Sequence, residues 1–221
     1  MNYSQVKTLA GNFTADISLT RYSTQQYLDA INYANKEFAY DSKALYKDAT
    51  TYTVVSETST YNLPSDFWLE RQVTHKGIEL FAISRHTLQR SNSNDWTLDT
   101  GTPTNYIIDP EEARKQIRLY RIPQGDDAGV NLVLTYYPIP TDLSADSDVP
   151  LNSSSLMSQF HLGIAAYAAT LLLLFETQTP EIALKRSQLM KIYNDKVSLA
   201  TSYFGNTPSE SMQLRGSRRW Y

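Results

Sequence analysis

The chain has 221 residues, which is enough for one large domain or two small ones. It carries 20 Lys and Arg against 23 Asp and Glu, a net charge of −3, whereas a dedicated nucleic-acid binder is usually basic. It has 0 Cys, which excludes a disulfide scaffold, a thiol nucleophile, an iron–sulfur cluster and a zinc site with cysteine ligands.

Two helices are predicted in the N-terminal part of the chain. The first is expected from Ser4 to Gly11. The N-terminus lacks a charged region followed by an apolar stretch, so no signal peptide is expected. Ser23 is a natural N-cap, and Gln26 three residues later completes a capping box that predicts a helix over Thr24–Tyr46. The apolar stripe of this helix consists of Tyr27, Ile31, Ala34, Phe38 and Leu45.

A β-rich region is predicted to follow, because this part of the chain is rich in β-branched and aromatic residues. Turn residues such as Pro64, Gly77 and Gly125 divide it, and Ser84 is expected to cap a short helix through Leu88. The expected extended segments are Thr50–Val55, Tyr61–Phe67, Trp68–Thr74, Ile78–Ile83, Thr104–Ile108, Ile117–Arg121 and Val130–Tyr137.

A buried helix is predicted after a polar connection, and one of the serines at 153–155 is expected to cap it. The helix runs to about Glu176 and is apolar on two faces, which indicates burial on most of its circumference. Its apolar run from Ile164 to Phe175 is too short to span a bilayer, so no membrane is expected. The two faces comprise Leu156, Phe160, Gly163, Tyr167 and Leu171, and Met157, Ile164, Ala168, Leu172 and Phe175.

The last predicted helix begins after Thr179, with Pro180 at its first position, and ends at Gly205. Its inward residues are expected to be Ile182, Leu189, Ile192, Tyr193, Leu199 and Tyr203.

The order of these elements predicts an α+β fold in which the sheet interrupts a set of long helices. The predicted parts are a helical bundle at residues 1–49 and 151–204, a β-rich insert at residues 50–140, a linker at residues 141–150 and an extended C-terminal tail at residues 205–221.

No catalytic, metal-binding or cofactor-binding motif is found, so none of the three is expected. The histidines are His75, His86 and His161, and their spacing does not place two ligands on one helix face. His161 lies on the predicted buried helix and is expected to be a hydrogen-bonded structural residue. The acidic cluster Asp142, Asp146 and Asp148 lacks the Gly and Glu of a calcium loop and is expected to be solvated.

Two alternative functions stay open on this evidence. Paired carboxylates cleave glycosides, so a carboxylate-dependent peptidoglycan hydrolase is one. A generic protein-binding module is the other, because the 16 Tyr suit an interface as well as they suit packing within a sheet.

The C-terminal tail is locally basic in an acidic chain and ends in two aromatic residues. Arg, Trp and Tyr dominate the hot spots of protein interfaces, which favours an anchor that binds another protein. Contact with phosphate and a terminus without a function are the alternatives. The candidate anchor residues are Arg215, Arg218, Arg219, Trp220 and Tyr221.

The order of several motifs resembles that of the head-to-tail adaptor (connector) proteins of short-tailed bacteriophages. The resemblance covers the chain from about Ser23 to Phe204 and begins with the capped helix before the β-rich region. The other segments that carry it are Tyr61–Phe67, Gly101–Tyr106 with Ile117–Pro123, Leu132–Pro140 before the Asp-rich link and Val149–Leu151, and Ile164–Ala169 with the partner helix.

This resemblance implies a structural virion protein of the neck, assembled in the host cytoplasm and without catalytic residues. It implies a homo-dodecameric ring, with the portal protein above and a tail nozzle or tail-tube protein below. DNA is expected to pass through the channel without specific binding, and the C-terminal tail is expected to reach the portal.

Overall fold

The computed structural model describes residues 1–91, 95–108, 116–152 and 155–204. The chain divides into two compact units. The helical unit contains Met1–Leu45 and the described residues from Ile139 to Phe204, and the β-rich unit is Tyr46–Pro138. Long helices make up most of the first unit and strands most of the second, so the α+β class is confirmed.

Helix α1 spans Tyr3–Thr14 and begins at a capping box on Asn2. It ends at Ala15, which adopts the left-handed conformation with φ 62°. The prediction that Gly11 ends this helix is wrong, since Gly11 lies within it. A glycine is needed there for a different reason: a Cβ at this position would collide with the side chain of Leu19.

Helix α2 spans Thr24–Ser42, and its predicted capping box is confirmed. The Ser23 hydroxyl accepts from the backbone N–H of Gln26 at 3.1 Å, and the Gln26 side chain accepts from the Ser23 N–H at 2.8 Å. The helix ends before the predicted Tyr46, because Lys43 is left-handed and strand pairing begins at Lys47. A turn and a strand thus replace the last predicted turn of helix.

Helix α4 spans His161–Leu172 and is flanked by 3-10 turns at Ser155–Phe160 and Leu173–Phe175. The predicted continuous helix is therefore three segments, and no serine side chain caps α4, since its N-cap is Phe160. In the described part of the chain, Met157–Phe175 is long and apolar enough to cross a membrane, but 61% of it is buried within the protein. This burial is that of a core helix.

Helix α5 spans Pro180–Phe204. The predicted start is confirmed, because the Thr179 hydroxyl accepts from the backbone N–H of Ile182 at 3.3 Å. The predicted end at Gly205 lies outside the described residues.

The strands of the β-rich unit form two sheets of four strands each in the described residues. All pairs are antiparallel except β5 with β6. The first sheet has the order β1 (Lys47–Thr53), β8 (Asn131–Pro138), β3 (Phe67–His75) and β4 (Ile78–Glu79). The second has the order β2 (Thr60–Asn62), β7 (Gln116–Tyr120), β6 (Asn105–Ile108) and β5 (Phe81–Ala82).

The chain changes from one sheet to the other at Leu80. The predicted strand Ile78–Ile83 is therefore two short strands, β4 and β5. Leu80 is buried and donates its N–H to Val73 in the first sheet, whereas Phe81 donates to Thr104 beside the second. After β5, helix α3 spans Arg85–Ser91 and is capped by Ser84 as predicted.

The core of the helical unit is packed through small side chains. All four alanines of α4 have no exposed surface and its one glycine, Gly163, is buried too, so neighbouring helices approach closely. A Cβ on Gly163 would lie 2.9 Å from Cβ of Lys196 on α5 and 3.1 Å from Cε2 of Phe38 on α2. Interiors are close-packed, so Gly163 sets the separation of these three helices.

Candidate interaction surfaces

The predicted anchor residues of the tail, Arg215, Arg218, Arg219, Trp220 and Tyr221, lie outside the described residues. Within the described residues, two kinds of feature bear on function: clusters of polar side chains, and exposed surfaces able to bind a partner.

An enclosed polar cluster surrounds Asp127 in the β-rich unit. Its buried carboxylate accepts from Nζ of Lys76 at 2.8 Å and lies 3.4 Å from Nε2 of His75. Burial raises the pKa of Asp127, but hydrogen bonds from Lys76, Thr102 and His75 outweigh it and lower the pKa overall. The carboxylate is thus ionised and hydrogen-bonded, and it links the β3–β4 turn to the loop before β8.

His161 is buried in the helical unit, as predicted. The backbone of Pro150 and Met1 lies near its ring, yet neither ring nitrogen makes a hydrogen bond of normal geometry to the described residues, contrary to expectation. Burial lowers the pKa of His161 to about 4. The imidazole is therefore neutral near pH 7 and acts as a packed core group.

The described Asp side chains with a clearly shifted pKa are poorly suited to donate a proton. A glycosidase acid needs a raised pKa, as in a hydrophobic pocket. Every clear pKa shift among the described Asp side chains is downward. Burial alone would raise the pKa of these carboxyl groups, but hydrogen bonds from backbone or side-chain donors lower it by more. These residues are Asp16, Asp66, Asp95, Asp127 and Asp148. Among the described residues, no group of three His, Asp or Glu could hold a metal ion.

The acidic link before α4 is ordered by its own hydrogen bonds. Asp148 accepts from the backbone N–H groups of Ser144 and Ala145 at 2.7 and 2.8 Å, which closes a turn. Asp142 pairs with Lys36 of α2 at 2.6 Å. The predicted acidic cluster is thus dispersed into separate structural contacts.

A groove of about 510 Å³ runs between α2 and the C-terminal part of α4, and we call it the α2–α4 groove. It is mainly apolar, and three of its large side chains are strongly exposed: Tyr33 at 51%, Leu174 at 51% and Phe175 at 68%. The lining residues are Gln26, Asp29, Ala30, Tyr33, Tyr167, Leu171, Leu174 and Phe175. Three large apolar side chains exposed side by side are typical of an interaction surface rather than of scattered surface hydrophobics.

Stacked rings connect the α2–α4 groove to the core. Tyr33 and Tyr167 are stacked with ring centroids 6.3 Å apart, and Tyr167 lies 4.6 Å from Tyr193 of α5. The Tyr193 hydroxyl donates to Asp41 at 2.6 Å, and burial together with this bond raises its pKa. The wall of the groove is therefore held in place by α5 as well as by α4.

The far end of the groove is fixed by Glu176, next to Phe175. Its carboxylate pairs with Arg21 at 3.0 Å and accepts a short hydrogen bond from the hydroxyl of Tyr22. Burial and the Glu176 carboxylate raise the pKa of Tyr22, so its hydroxyl remains a donor. This contact joins the end of α4 to the α1–α2 turn and positions the exposed ring of Phe175.

Helix α5 presents a second exposed surface, which we call the α5 outer stripe. Its members are spaced by three or four residues and therefore share one face, opposite the buried Leu189 and Tyr193. Two of them are large and apolar: Leu184 is 62% exposed and Leu199 is 39% exposed. The stripe consists of Leu184, Gln188, Lys191, Asp195 and Leu199.

Three residues expected to face inward are exposed instead. Phe175, Leu199 and Tyr203 are 68%, 39% and 66% exposed, so their predicted burial is wrong. Phe175 escapes the core because the helix tightens to a 3-10 turn at Leu173, which rotates the following side chains. Helical spacing alone treats every apolar residue as a core residue, so it missed both surfaces of the helical unit.

The β-rich unit exposes its large apolar side chains at turns and edges. Ile78 and Phe81 are 68% and 64% exposed and flank the point at which the chain changes sheets. Val55 and Leu98, 55% and 71% exposed, lie next to other turns. These isolated projections differ from the α2–α4 groove, where three large apolar side chains are exposed side by side.

Comparison with known proteins adds one match. The family model described as SU10 adaptor protein matches residues 1–204, which covers both units. The search of curated proteins finds no match.

Proposed function

Because the chain belongs to the SU10 adaptor protein family, whose members are phage head-to-tail adaptors, we propose that it forms a ring below the portal. In this role it joins the capsid to the tail in the neck of the virion, after assembly in the host cytoplasm. The portal protein and a tail nozzle or tail-tube protein are its partners. The family match over residues 1–204 is the observation that carries this proposal.

The two units have different tasks in the proposed ring. The helical unit is the bundle that packs laterally in a homo-dodecamer and forms the channel wall, and the β-rich unit is the insert that faces the tail. In support, the helical unit exposes three large apolar side chains side by side at the α2–α4 groove, and a ring subunit needs such a surface toward its neighbours. The β-rich unit exposes single apolar side chains at turns, which suit a smaller contact.

DNA passes through the proposed channel without being held. A net charge of −3 repels phosphate weakly and does not provide the row of cations that retains a nucleic acid. The ring thus continues the path of the genome and leaves its movement to other components.

The C-terminal tail, residues 205–221, is the proposed contact with the portal. Arg218, Arg219, Trp220 and Tyr221 combine cations that pair with carboxylates and rings that fill pockets. The family match ends at residue 204, so this function is assigned from the composition of the tail.

Removing Arg215–Tyr221 tests this assignment. The truncated chain is expected to keep the circular dichroism spectrum of the full chain and to lose the ability to join portal-bearing heads. As a matched control, Ser209→Ala with Ser211→Ala changes the same tail without touching its Arg or aromatic residues, and joining is expected to persist. Heads that bind the truncated chain normally would show that another surface contacts the portal.

A further inference from the structure

We propose that the α5 outer stripe of one copy docks into the α2–α4 groove of the next copy. This inference rests on the proposed ring and names the two surfaces that close it. Rotational rings are built from heterologous contacts, in which two different patches of the same chain meet. The helical unit offers two such patches on different helices, and both are exposed in the single chain.

The shapes of the two surfaces are compatible. The stripe runs for about 22 Å along a single straight helix, from Leu184 to Leu199, at about 1.5 Å per residue. A groove between two helices, lined by apolar and aromatic side chains, is the usual receptor for such a helix. The stripe is longer than the groove, whose α2 wall runs for about 10 Å from Gln26 to Tyr33, so one of the two leucines at a time would bury against Leu174 and Phe175.

The charges of the two elements are complementary. Helix α2 has one cation and three acidic residues, so its net charge is −2: Lys36 against Asp29, Glu37 and Asp41. Helix α5 has four cations and two acidic residues, so its net charge is +2: Lys185, Arg186, Lys191 and Lys196 against Glu181 and Asp195. Helix α4, which forms the other wall of the groove, has none of these residues.

The contacts already made within the chain sharpen this complementarity. Lys36, the cation of α2, is paired with Asp142, and Asp41 is held by Tyr193. Asp29 lines the groove and Glu37 adjoins Tyr33, so the groove presents carboxylates. Lys191 lies in the middle of the stripe and is the cation placed to meet them.

The same charges disfavour symmetric pairing. Groove against groove would bring Asp29 and Glu37 of two copies together, and stripe against stripe would bring together two α5 helices, each of net charge +2, whose stripes carry Asp195 as well as Lys191. Like charges in an interface are strongly unfavourable. Stripe against groove is the pairing that opposes unlike charges, and it propagates around a ring instead of stopping at a dimer.

Cysteine cross-linking tests this pairing directly, because the chain has 0 Cys. Asp29→Cys places a thiol in the groove, and Lys191→Cys places one on the stripe. Both positions are exposed, so both variants are expected to fold. Portal rings are incubated with an equal mixture of the two variants and then oxidised.

The mixture is expected to give covalent dimers, and each variant alone none. A chain carrying both substitutions is expected to give a ladder of higher oligomers. As a matched control, Leu98→Cys in the β-rich unit replaces Asp29→Cys in the mixture and is expected to give no dimer. Dimers from either variant alone would indicate a symmetric contact and overturn the proposal.

Charge exchange gives a second measurement that does not depend on disulfide geometry. Asp29→Lys or Lys191→Glu alone is expected to lower the yield of portal-bound rings about tenfold or more, and the two substitutions in one chain to restore it. If rings form on the portal but the cysteine variants do not cross-link and charge exchange has no effect, the proposed pair of surfaces is wrong while the proposed function stands. Failure of the unmodified chain to form rings on the portal would refute the proposed function as well.

Discussion

The helical unit and the β-rich unit both bind carboxylates, as at Glu176 and Asp127, but they differ in what else stabilises them. The helical unit relies on close packing around Phe38 and Gly163, and it buries the neutral side chain of His161. The β-rich unit uses carboxylates as ties: Asp127 holds the β3–β4 turn, and Asp66 binds Lys47 and Tyr136 from two other strands. The helical unit should therefore be destabilised by substitutions that create cavities and by mild acid. The β-rich unit should be destabilised by the loss of its ion pairs.

The difference extends to the surfaces. Most exposed apolar side chains of the helical unit lie on helices, although Ile17 lies in the α1–α2 turn, whereas those of the β-rich unit lie at turns and on short edge strands. Rigid helices hold several side chains in one register, which suits a large repeated interface. Turns present one or two side chains each, which suits contacts with a differently shaped partner.

The largest effect is expected from Phe38→Ala. Phe38 has no exposed surface, and the centroid of its ring lies 5.9 Å from that of Phe160 and 5.9 Å from that of Tyr193. Its removal therefore leaves a cavity between the packed helices. The free energy of unfolding of the helical unit should fall by about 3–5 kcal/mol. Denaturant unfolding followed by far-UV circular dichroism, which reports on the helices, measures this loss. A loss below about 1 kcal/mol would contradict the proposed importance of packing.

Acid should weaken the helical unit through His161. Its pKa is about 4 in the folded protein, whereas an unfolded His titrates near 6.5. The unfolded chain therefore binds a proton first, so stability is complete above about pH 6.5 and declines until about pH 4. The loss between about pH 7 and pH 5 should be about 2 kcal/mol.

The matched variant for this prediction is His161→Gln, which is neutral throughout this range. Its unfolding free energy, measured by the same helix signal at the two pH values, should show no such decline. An equal decline in both proteins would mean that other groups cause it.

The β-rich unit should lose stability in Asp127→Asn, by about 1–3 kcal/mol, because Lys76 and His75 lose the charge of their partner. The lowered pKa of Asp127 gives stability that is present above the unfolded value near 3.9 and is lost as the pH falls through the folded value. The difference between the two proteins should thus shrink below about pH 4. Fluorescence of Trp68 and Trp96, in a Trp220→Phe background, reports on this unit.

The pH ranges over which the two units lose stability provide an internal check on this result. The Trp signal should respond to pH below about 4 and the helix signal already near 6. If the two signals changed together between about pH 6.5 and pH 4, the assignment of separate causes would be wrong.

The smallest effect is expected from Lys47→Ala. The Lys47 side chain is 53% exposed although its Nζ lies 2.5 Å from Asp66. Exposed ion pairs contribute little, so the loss should be below about 1 kcal/mol, and Tyr136 continues to donate to Asp66. A larger loss in the Trp-monitored unfolding would mean that this pair is as important as the buried tie at Asp127.

Local features of the fold could be predicted from the sequence. The start of α2 at Ser23 and of α5 at Thr179 depend on side-chain oxygens that bind N–H groups within the same turn, so the neighbouring residues suffice. The exchange of sheets at Leu80 was missed, because it depends on β6, which is distant in the sequence.

The candidate surfaces were less predictable. Apolar periodicity indicated that Phe175 and Leu199 would be buried, and it does not distinguish burial within the chain from burial by another copy. The tail residues Arg218 and Trp220 stand out in the sequence by composition alone, and their partner belongs to another protein. The family order of motifs was the informative signal for function, since no single residue carries it.

Electron microscopy of the full chain mixed with purified portal rings of the same phage tests the adaptor role most directly. The account predicts a second ring of the same rotational symmetry, seated on one face of the portal and coaxial with its channel. Portal rings that stay bare in the presence of a folded, soluble excess of this chain would contradict it.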